Sequence, residues 1–196
     1  MLLATFRAAA LTFCKNRCHI APLLLCAIVA TSPSSLPAQT AASSSAASSV
    51  SILKAPDMDK LMPATVFFRG QAASVQARNS GGIKLPDGMF VLVALGDTSG
   101  YSTGIQQKYQ GYFITEVTLN INGQTLKPGA YGVGFIEGNR FVVMDLGAHD
   151  LFTVGSKSDG GLKRPMPLQV LADATPNQYR LYINRNYVVL SPAAGQ

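Results

Sequence analysis

Cysteine is missing from most of the chain. Its three cysteines are Cys14, Cys18 and Cys26, so the remainder forms no disulfide and offers no thiolate to zinc or an iron–sulfur cluster. Of the two histidines, only His149 lies outside the N-terminal region. One histidine excludes a three-histidine zinc site and a two-histidine, one-carboxylate iron site within a protomer. We therefore expect no cofactor and no transition metal.

Charge is also scarce, since Asp, Glu, Lys and Arg make up only 13% of the residues. Three of the sixteen basic residues, Arg7, Lys15 and Arg17, stand near the N-terminus without an acidic neighbour. The rest of the chain contains thirteen basic and ten acidic residues, which gives a net charge of +3 spread along its length. Such a distribution is typical of a solvated surface, and we expect no nucleic-acid partner.

No apolar run is long enough to suggest a membrane-spanning helix. IAPLLLCAIVA (20–30) has eleven residues, whereas a bilayer requires about 20. A basic start, this short run and the small residues after it predict a signal peptide over 1–38 and a secreted or periplasmic protein. The alternative is a lipid anchor at Cys26, because LLLC resembles a lipobox, although Leu25 stands where a small residue is usual.

The segment behind the predicted signal peptide cannot form a core. Residues 31–50 hold eight Ser and five Ala and almost no large apolar side chain. Such a composition buries too little surface to fold. We predict a flexible linker over 39–60 and one domain over 61–196, which is long enough for a core of its own.

From Thr65 onward, apolar and polar residues alternate with a period of two, which indicates β-strands. YFITEVTLNING (112–123) is the clearest case, and its Asn122-Gly123 pair predicts a tight hairpin. Pro86-Asp87-Gly88 predicts another turn. Nine or ten short strands and at most one short helix favour an antiparallel β-sandwich, with a β-barrel as the alternative. Two long loops, 96–111 and 155–165, are where we expect functional residues, and the second is predicted to be mobile.

One motif suggests catalysis. GYSTG (100–104) fits the G-x-S-x-G pattern of the α/β-hydrolase nucleophile, and Ser102, Asp145 and His149 follow one another in the order that fold uses. In that interpretation His149 activates the Ser102 hydroxyl and Asp145 orients the imidazole. The all-β pattern argues against it, because the elbow requires a following helix and βαβ units. Asp145, His149 and Asp150 form a poor metal set, so we expect no metal.

Tyrosine is the main candidate for an exposed aromatic binding surface, since the chain has no tryptophan. Tyr101, Tyr109 and Tyr112 lie on or beside the 96–111 loop. They form either a surface that stacks on a sugar or a protein, or a cover over the open end of the core.

VTLNINGQTLKPGAYGVGF (117–135) resembles a stretch of exported bacterial β-sandwich domains of uncharacterised, carbohydrate-binding-module-like families. The shared pattern is G-x-x-L-x-x-G-x-Y, carried here by Gly123, Leu126, Gly129 and Tyr131. The resemblance implies that the leucine fills the core and that the turn returns the tyrosine to the sheet. It implies no ligand site, because FVVMDL stands where such domains often carry a tryptophan.

These patterns predict an exported, non-catalytic β-sandwich module that contacts an unknown protein or glycan. The alternative is a small serine hydrolase that uses Ser102, His149 and Asp145.

Overall fold

Two antiparallel β-sheets face each other across an apolar core in the computed structural model, which describes residues 49–193. The strands are β1 (Ser51–Leu53), β2 (Thr65–Phe68), β3 (Gln71–Lys84), β4 (Phe90–Gly96), β5 (Gly111–Thr115), β6 (Leu119–Ile121), β7 (Gln124–Leu126), β8 (Gly129–Ile136), β9 (Arg140–Met144), β10 (Asp150–Gly155), β11 (Lys157–Ser158), β12 (Leu168–Ala172), β13 (Tyr179–Ile183) and β14 (Asn186–Pro192). The two helices are α1 (Ala55–Met58) and α2 (Thr103–Lys108).

The larger sheet has the order β1-β3-β4-β5-β8-β9-β10, and β2 pairs with β3 beside this path. The smaller sheet has the order β12-β13-β14-β6-β7, and β11 pairs with β14. Neither sheet closes on itself within residues 49–193, so the fold is the predicted antiparallel sandwich and not a barrel.

Turn chemistry explains most of the hairpins. Asn122 and Gly123 adopt φ values of 45° and 93°, which a type I′ turn between β6 and β7 requires. Pro86-Asp87-Gly88 joins β3 to β4 as predicted. The predicted strand 112–123 is wrong in one respect, because it splits into β5 and β6 in different sheets. The alternation of apolar and polar residues continues across the break, because the chain directs the same set of alternate side chains toward the core as it passes from one sheet to the other.

The main core lies between the sheets, where alternate residues of both inner faces interlock. Phe113, Val133 and Phe141 from the larger sheet and Leu119 and Leu181 from the smaller one are at most 1% exposed. Burial of a large apolar side chain of this kind contributes about 1.5–3 kcal/mol.

A second apolar layer covers the outer face of the larger sheet. Met58 of α1, Phe68 of β2 and Tyr109 after α2 are fully buried against Val142 and Met144 of β9. The larger sheet is therefore buried on both faces. The sequence does not predict this layer, because it is built from one short strand and two short helices.

Four expectations differ from the structure. Residues 49–193 form fourteen strands instead of nine or ten, and two short helices instead of at most one. Residues 51–58, placed in the predicted linker, form β1 and α1 and pack on the domain, which therefore begins before residue 61. The 155–165 loop, predicted to be mobile, is held by Arg185, whose Nη1 donates to the carbonyl oxygens of Asp159, Gly160 and Leu162 at 3.0–3.2 Å. The signal peptide and Cys26 lie outside the described residues.

Candidate functional site

Asp145 and His149 meet in the turn that joins β9 to β10. The Asp145 Oδ1 atom accepts the backbone N–H groups of Gly147 at 2.8 Å and His149 at 2.9 Å. Its Oδ2 atom lies 3.0 Å from the Nδ1 atom of His149, whose side chain is 81% exposed. Ala148 takes a φ of 66°, which closes the turn. The pair thus stabilises the local backbone and projects an imidazole into solvent.

Ser102 does not join this pair. It precedes α2 in an extended conformation, with φ −63° and ψ 152°, instead of occupying a strained elbow. The six-residue helix α2 lies between Ser102 and the end of Lys108 and has a rise of about 9 Å. At its far end the Lys108 Nζ atom binds Asp150 at 2.6 Å. No hydrogen bond joins Ser102 to His149 in the part of the chain that the structure describes. A base must reach its nucleophile directly or through one water, and the direct contact is not made among the described residues.

The Asp145 turn has a testable acid dependence. The backbone N–H of His149, then its ring, lowers the pKa of Asp145 below the ordinary 3.8. A lowered pKa adds stability that is present above the unfolded-state pKa and is lost as the pH falls through the folded-state value. We expect Asp145→Asn to unfold at a lower temperature than the wild type at neutral pH, with a difference that shrinks between about pH 5 and pH 2. Thermal unfolding followed by circular dichroism measures it, and a difference that does not change with pH would contradict it.

Tyr101, Tyr109 and Tyr112 are core residues. They are 7%, 0% and 9% exposed, and burial raises the pKa of all three phenols. The Tyr101 hydroxyl donates to the backbone oxygen of Phe68 at 2.9 Å. None of the rings offers an open face to a ligand, so the stacking surface is not supported and the alternative, a cover over the core, describes their position.

Both long loops start at one end of the sandwich, and the Asp145–His149 turn follows the other end of β9. The 137–139 turn, which precedes β9, lies at the end of the larger sheet where β4 ends and β5 begins. The Asp145–His149 turn comes after the last residue of β9, at the other end of that strand. The 155–165 segment reaches the β13–β14 turn through the pairing of Ser158 with Asn186. The shared end therefore carries the starting points of both predicted loops, and α2 of the 96–111 loop reaches back to the turn, where Lys108 binds Asp150.

A cleft of about 320 Å³ opens at this shared end, and we call it the amide cleft. Its lining residues are Gln76, Leu95, Gly96, Thr98, Gln110, Phe135, Ile183, Asn184 and Asn186. Four of them carry carboxamides and none is ionisable. Gln110 is fixed, because its amide donates to the Phe135 carbonyl at 2.9 Å and accepts the Phe135 N–H at 3.0 Å.

Other polar groups of the amide cleft are available to a ligand. Within residues 49–193, the side chains of Thr98, Asn184 and Asn186 make no hydrogen bond, and Gln76 uses only its Oε1 atom, which accepts from Asn79 at 2.7 Å. The cleft thus presents hydroxyl and amide groups beside the apolar surfaces of Leu95, Phe135 and Ile183. Small-ligand sites typically combine such apolar walls with a few convergent polar groups.

Sequence reasoning missed the amide cleft for a physical reason. Gln76 lies in β3, Gln110 precedes β5, and Asn184 and Asn186 belong to the last hairpin, so only the sheet topology brings them together. The partial signal was the 96–111 loop, whose two ends supply Thr98 and Gln110.

Residues 49–193 contain no group of three His, Cys, Asp or Glu side chains placed to hold a metal ion. Over the same residues, neither helix has the length and hydropathy needed to cross a membrane.

The chain shows no significant match to any family model, curated protein or solved structure. The resemblance of residues 117–135 to exported sandwich domains therefore stays a prediction. Leu126 is 3% exposed in the main core, and the Tyr131 hydroxyl donates to the Lys127 carbonyl at 2.9 Å, closing the turn between β7 and β8.

Proposed function

We propose that the protein is an exported, non-catalytic β-sandwich module that binds a neutral, polyhydroxylated ligand such as a glycan in the amide cleft. The observation that carries this proposal is the convergence of four carboxamides and a threonine in a cleft with no ionisable side chain. Carboxamides both donate and accept, as hydroxyl groups do, so each can pair with a sugar hydroxyl in either sense.

The uncharged lining favours a neutral ligand over a charged one. A phosphate, a carboxylate or an acidic peptide is usually held by Arg or Lys, and neither lines the cleft. Leu95, Phe135 and Ile183 supply apolar surface against which the C–H face of a sugar ring can pack. The volume of about 320 Å³ lies at the lower end of the range for small-ligand sites, which suits a short glycan segment.

The hydrolase alternative has less support. Asp145 and His149 meet, but Ser102 makes no hydrogen bond to His149 among the described residues and precedes a helix of only six residues. No geometric observation favours nucleophilic chemistry at Ser102.

Binding of neutral tetrasaccharides, one of α-1,4-linked and one of β-1,4-linked glucose, tests the proposal by isothermal titration calorimetry. Asn186→Ala removes an amide that makes no hydrogen bond of its own within residues 49–193. We expect about three- to tenfold weaker binding, since one hydrogen bond contributes about 0.5–1.5 kcal/mol. Gln124→Ala, an exposed amide on β7 away from the cleft, is the matched control and should bind as the wild type does. Equal affinity of both variants for a bound sugar would place the binding outside the amide cleft.

A further inference from the structure

The outer face of the smaller sheet is open to solvent, unlike that of the larger sheet. Leu181 and Val188 point into the main core, so Tyr182 and Tyr187, their neighbours in β13 and β14, point outward. Among the described residues, the second apolar layer contains none from β12, β13 or β14. Leu171 of β12 is 37% exposed. One sheet of the sandwich therefore keeps an uncovered side.

The net charge of the protein lies near this face instead of being spread evenly along the chain. Residues 157–185 contain five basic and two acidic residues, which gives a net charge of +3. The other described residues contain eight of each, so their net charge is zero. Asp173 is paired with Arg180 at 2.5 Å, and Asp159 accepts the Tyr182 hydroxyl at 3.1 Å. Both acidic groups of the segment are thus already engaged.

Three basic residues of this segment have no acidic partner. Lys157, Lys163 and Arg164 are exposed, and none of them forms an ion pair within residues 49–193. Lys157 lies directly opposite Tyr187 and therefore on the outer face, whereas the other two come just before β12. These positions are three strand spacings apart, or about 14 Å. The unpaired positive charge is therefore distributed over a surface and does not line one groove.

Apolar side chains lie among these charges. Leu171 stands directly opposite Arg180, whose guanidinium carbon lies 4.9 Å from the centre of the Tyr187 ring. Met166, two residues after Arg164, is 48% exposed. Binding to a lipid surface gains both from buried apolar area and from the attraction of basic residues to anionic headgroups. This face offers both.

We propose that the outer face of the smaller sheet docks on an anionic lipid surface. Lys157, Lys163 and Arg164 contact the headgroups, and Leu171 and Met166 enter the interfacial region beside them. A bilayer matches charges distributed over about 14 Å, whereas an extended acidic peptide covers one strand spacing of about 4.8 Å. A hydrated acidic polysaccharide would leave the two exposed apolar side chains without an apolar partner. This docking does not rest on the amide cleft, so either proposal can fail without the other.

A single tryptophan reports the docking, because the chain has none of its own. In Leu171→Trp the indole replaces an exposed side chain of the outer face. An indole is favoured at a membrane interface, and it emits at shorter wavelength there than in water. The full chain is titrated with vesicles of phosphatidylglycerol and phosphatidylcholine in equal parts, and with vesicles of phosphatidylcholine alone. We expect a saturable shift to shorter wavelength with the anionic vesicles only.

Salt should reverse this shift. Raising the salt concentration from about 0.1 M to about 1 M shortens the screening length from about 10 Å to about 3 Å. Phe67→Trp is the matched control, since Phe67 is 67% exposed on β2, beside the larger sheet. Its emission should stay unchanged with the same vesicles. Attachment through the N-terminal region would leave the indole of Leu171→Trp in water, so it cannot produce the expected result.

Charge reversal tests the basic residues. In the Leu171→Trp background, Lys163→Glu with Arg164→Glu should weaken vesicle binding at least about tenfold. Lys60→Glu with Lys127→Glu changes the net charge equally at two exposed lysines outside the segment and should weaken it far less. Circular dichroism verifies that all variants fold. No shift with anionic vesicles, an equal shift with neutral ones, or equal loss in the two double variants would overturn the proposal. An equal shift with soluble polygalacturonate would overturn it in favour of an acidic polysaccharide.

Discussion

Replacing Tyr109 with alanine is expected to lower the free energy of unfolding by about 3–5 kcal/mol, the usual cost of truncating a buried aromatic ring. Tyr109 is fully buried, and its ring stacks on Phe68 with centroids 3.7 Å apart and planes 18° apart. It also meets the edge of Tyr101 at 5.7 Å. The loss should be large because Tyr109 links the end of α2 to β2 across the outer face of the larger sheet.

Tyr109→Phe separates the ring from its hydroxyl. The Tyr109 Oη atom is buried without a hydrogen-bond partner in the described part of the chain, so removing it leaves no other group unpaired. We expect Tyr109→Phe to be as stable as the wild type or more stable. Urea unfolding followed by circular dichroism measures both variants. A loss above about 1 kcal/mol for Tyr109→Phe would show that the hydroxyl has a stabilising partner.

The second large effect is expected at Gly134, on the outer face of β8. A Cβ atom there would overlap the backbone oxygen of Lys108 at the end of α2, a group that cannot move without shifting the helix. Gly134→Ala should therefore cost about 1–3 kcal/mol, as overpacking of a core does. Thermal unfolding measures the change.

Gly155→Ala provides the control for Gly134→Ala, because a Cβ atom at Gly155 meets nothing within 4 Å. It should leave stability unchanged or raise it slightly, since alanine reduces the freedom of the unfolded chain. Equal stability of Gly134→Ala and the wild type would mean that α2 does not rest on β8 as the structure shows.

The inner layer of this fold is predictable from the sequence, whereas the outer layer is not. Alternation and turn residues such as Asn122 and Gly123 are local signals, and they predict the sandwich. Met58, Phe68 and Tyr109 belong to elements too short to show a period, so their burial depends on contacts that close only in the folded chain. For the same reason, the loop position of Tyr109 leaves open whether its ring is exposed or covers the core, and the structure buries it.

The candidate sites show the same division. Asp145 and His149 are the two ends of one five-residue turn, so their pairing can be inferred from the sequence. The amide cleft joins residues that are far apart along the chain, such as Gln76 and Asn186. Their chemistry lies in ordinary residue types, which carry no motif, and only the sheet order brings them together.

The most direct measurement is an NMR titration of the isotopically labelled protein with the two neutral tetrasaccharides. We predict that at least one of them shifts the side-chain amide resonances of Gln76, Gln110, Asn184 and Asn186 in a saturable way, while the resonances of Ser102 and His149 stay in place and the sugar is recovered intact. Shifts centred on Ser102 and His149 with cleavage of the sugar would contradict the proposed non-catalytic binding, and so would the absence of any shift at the amide cleft.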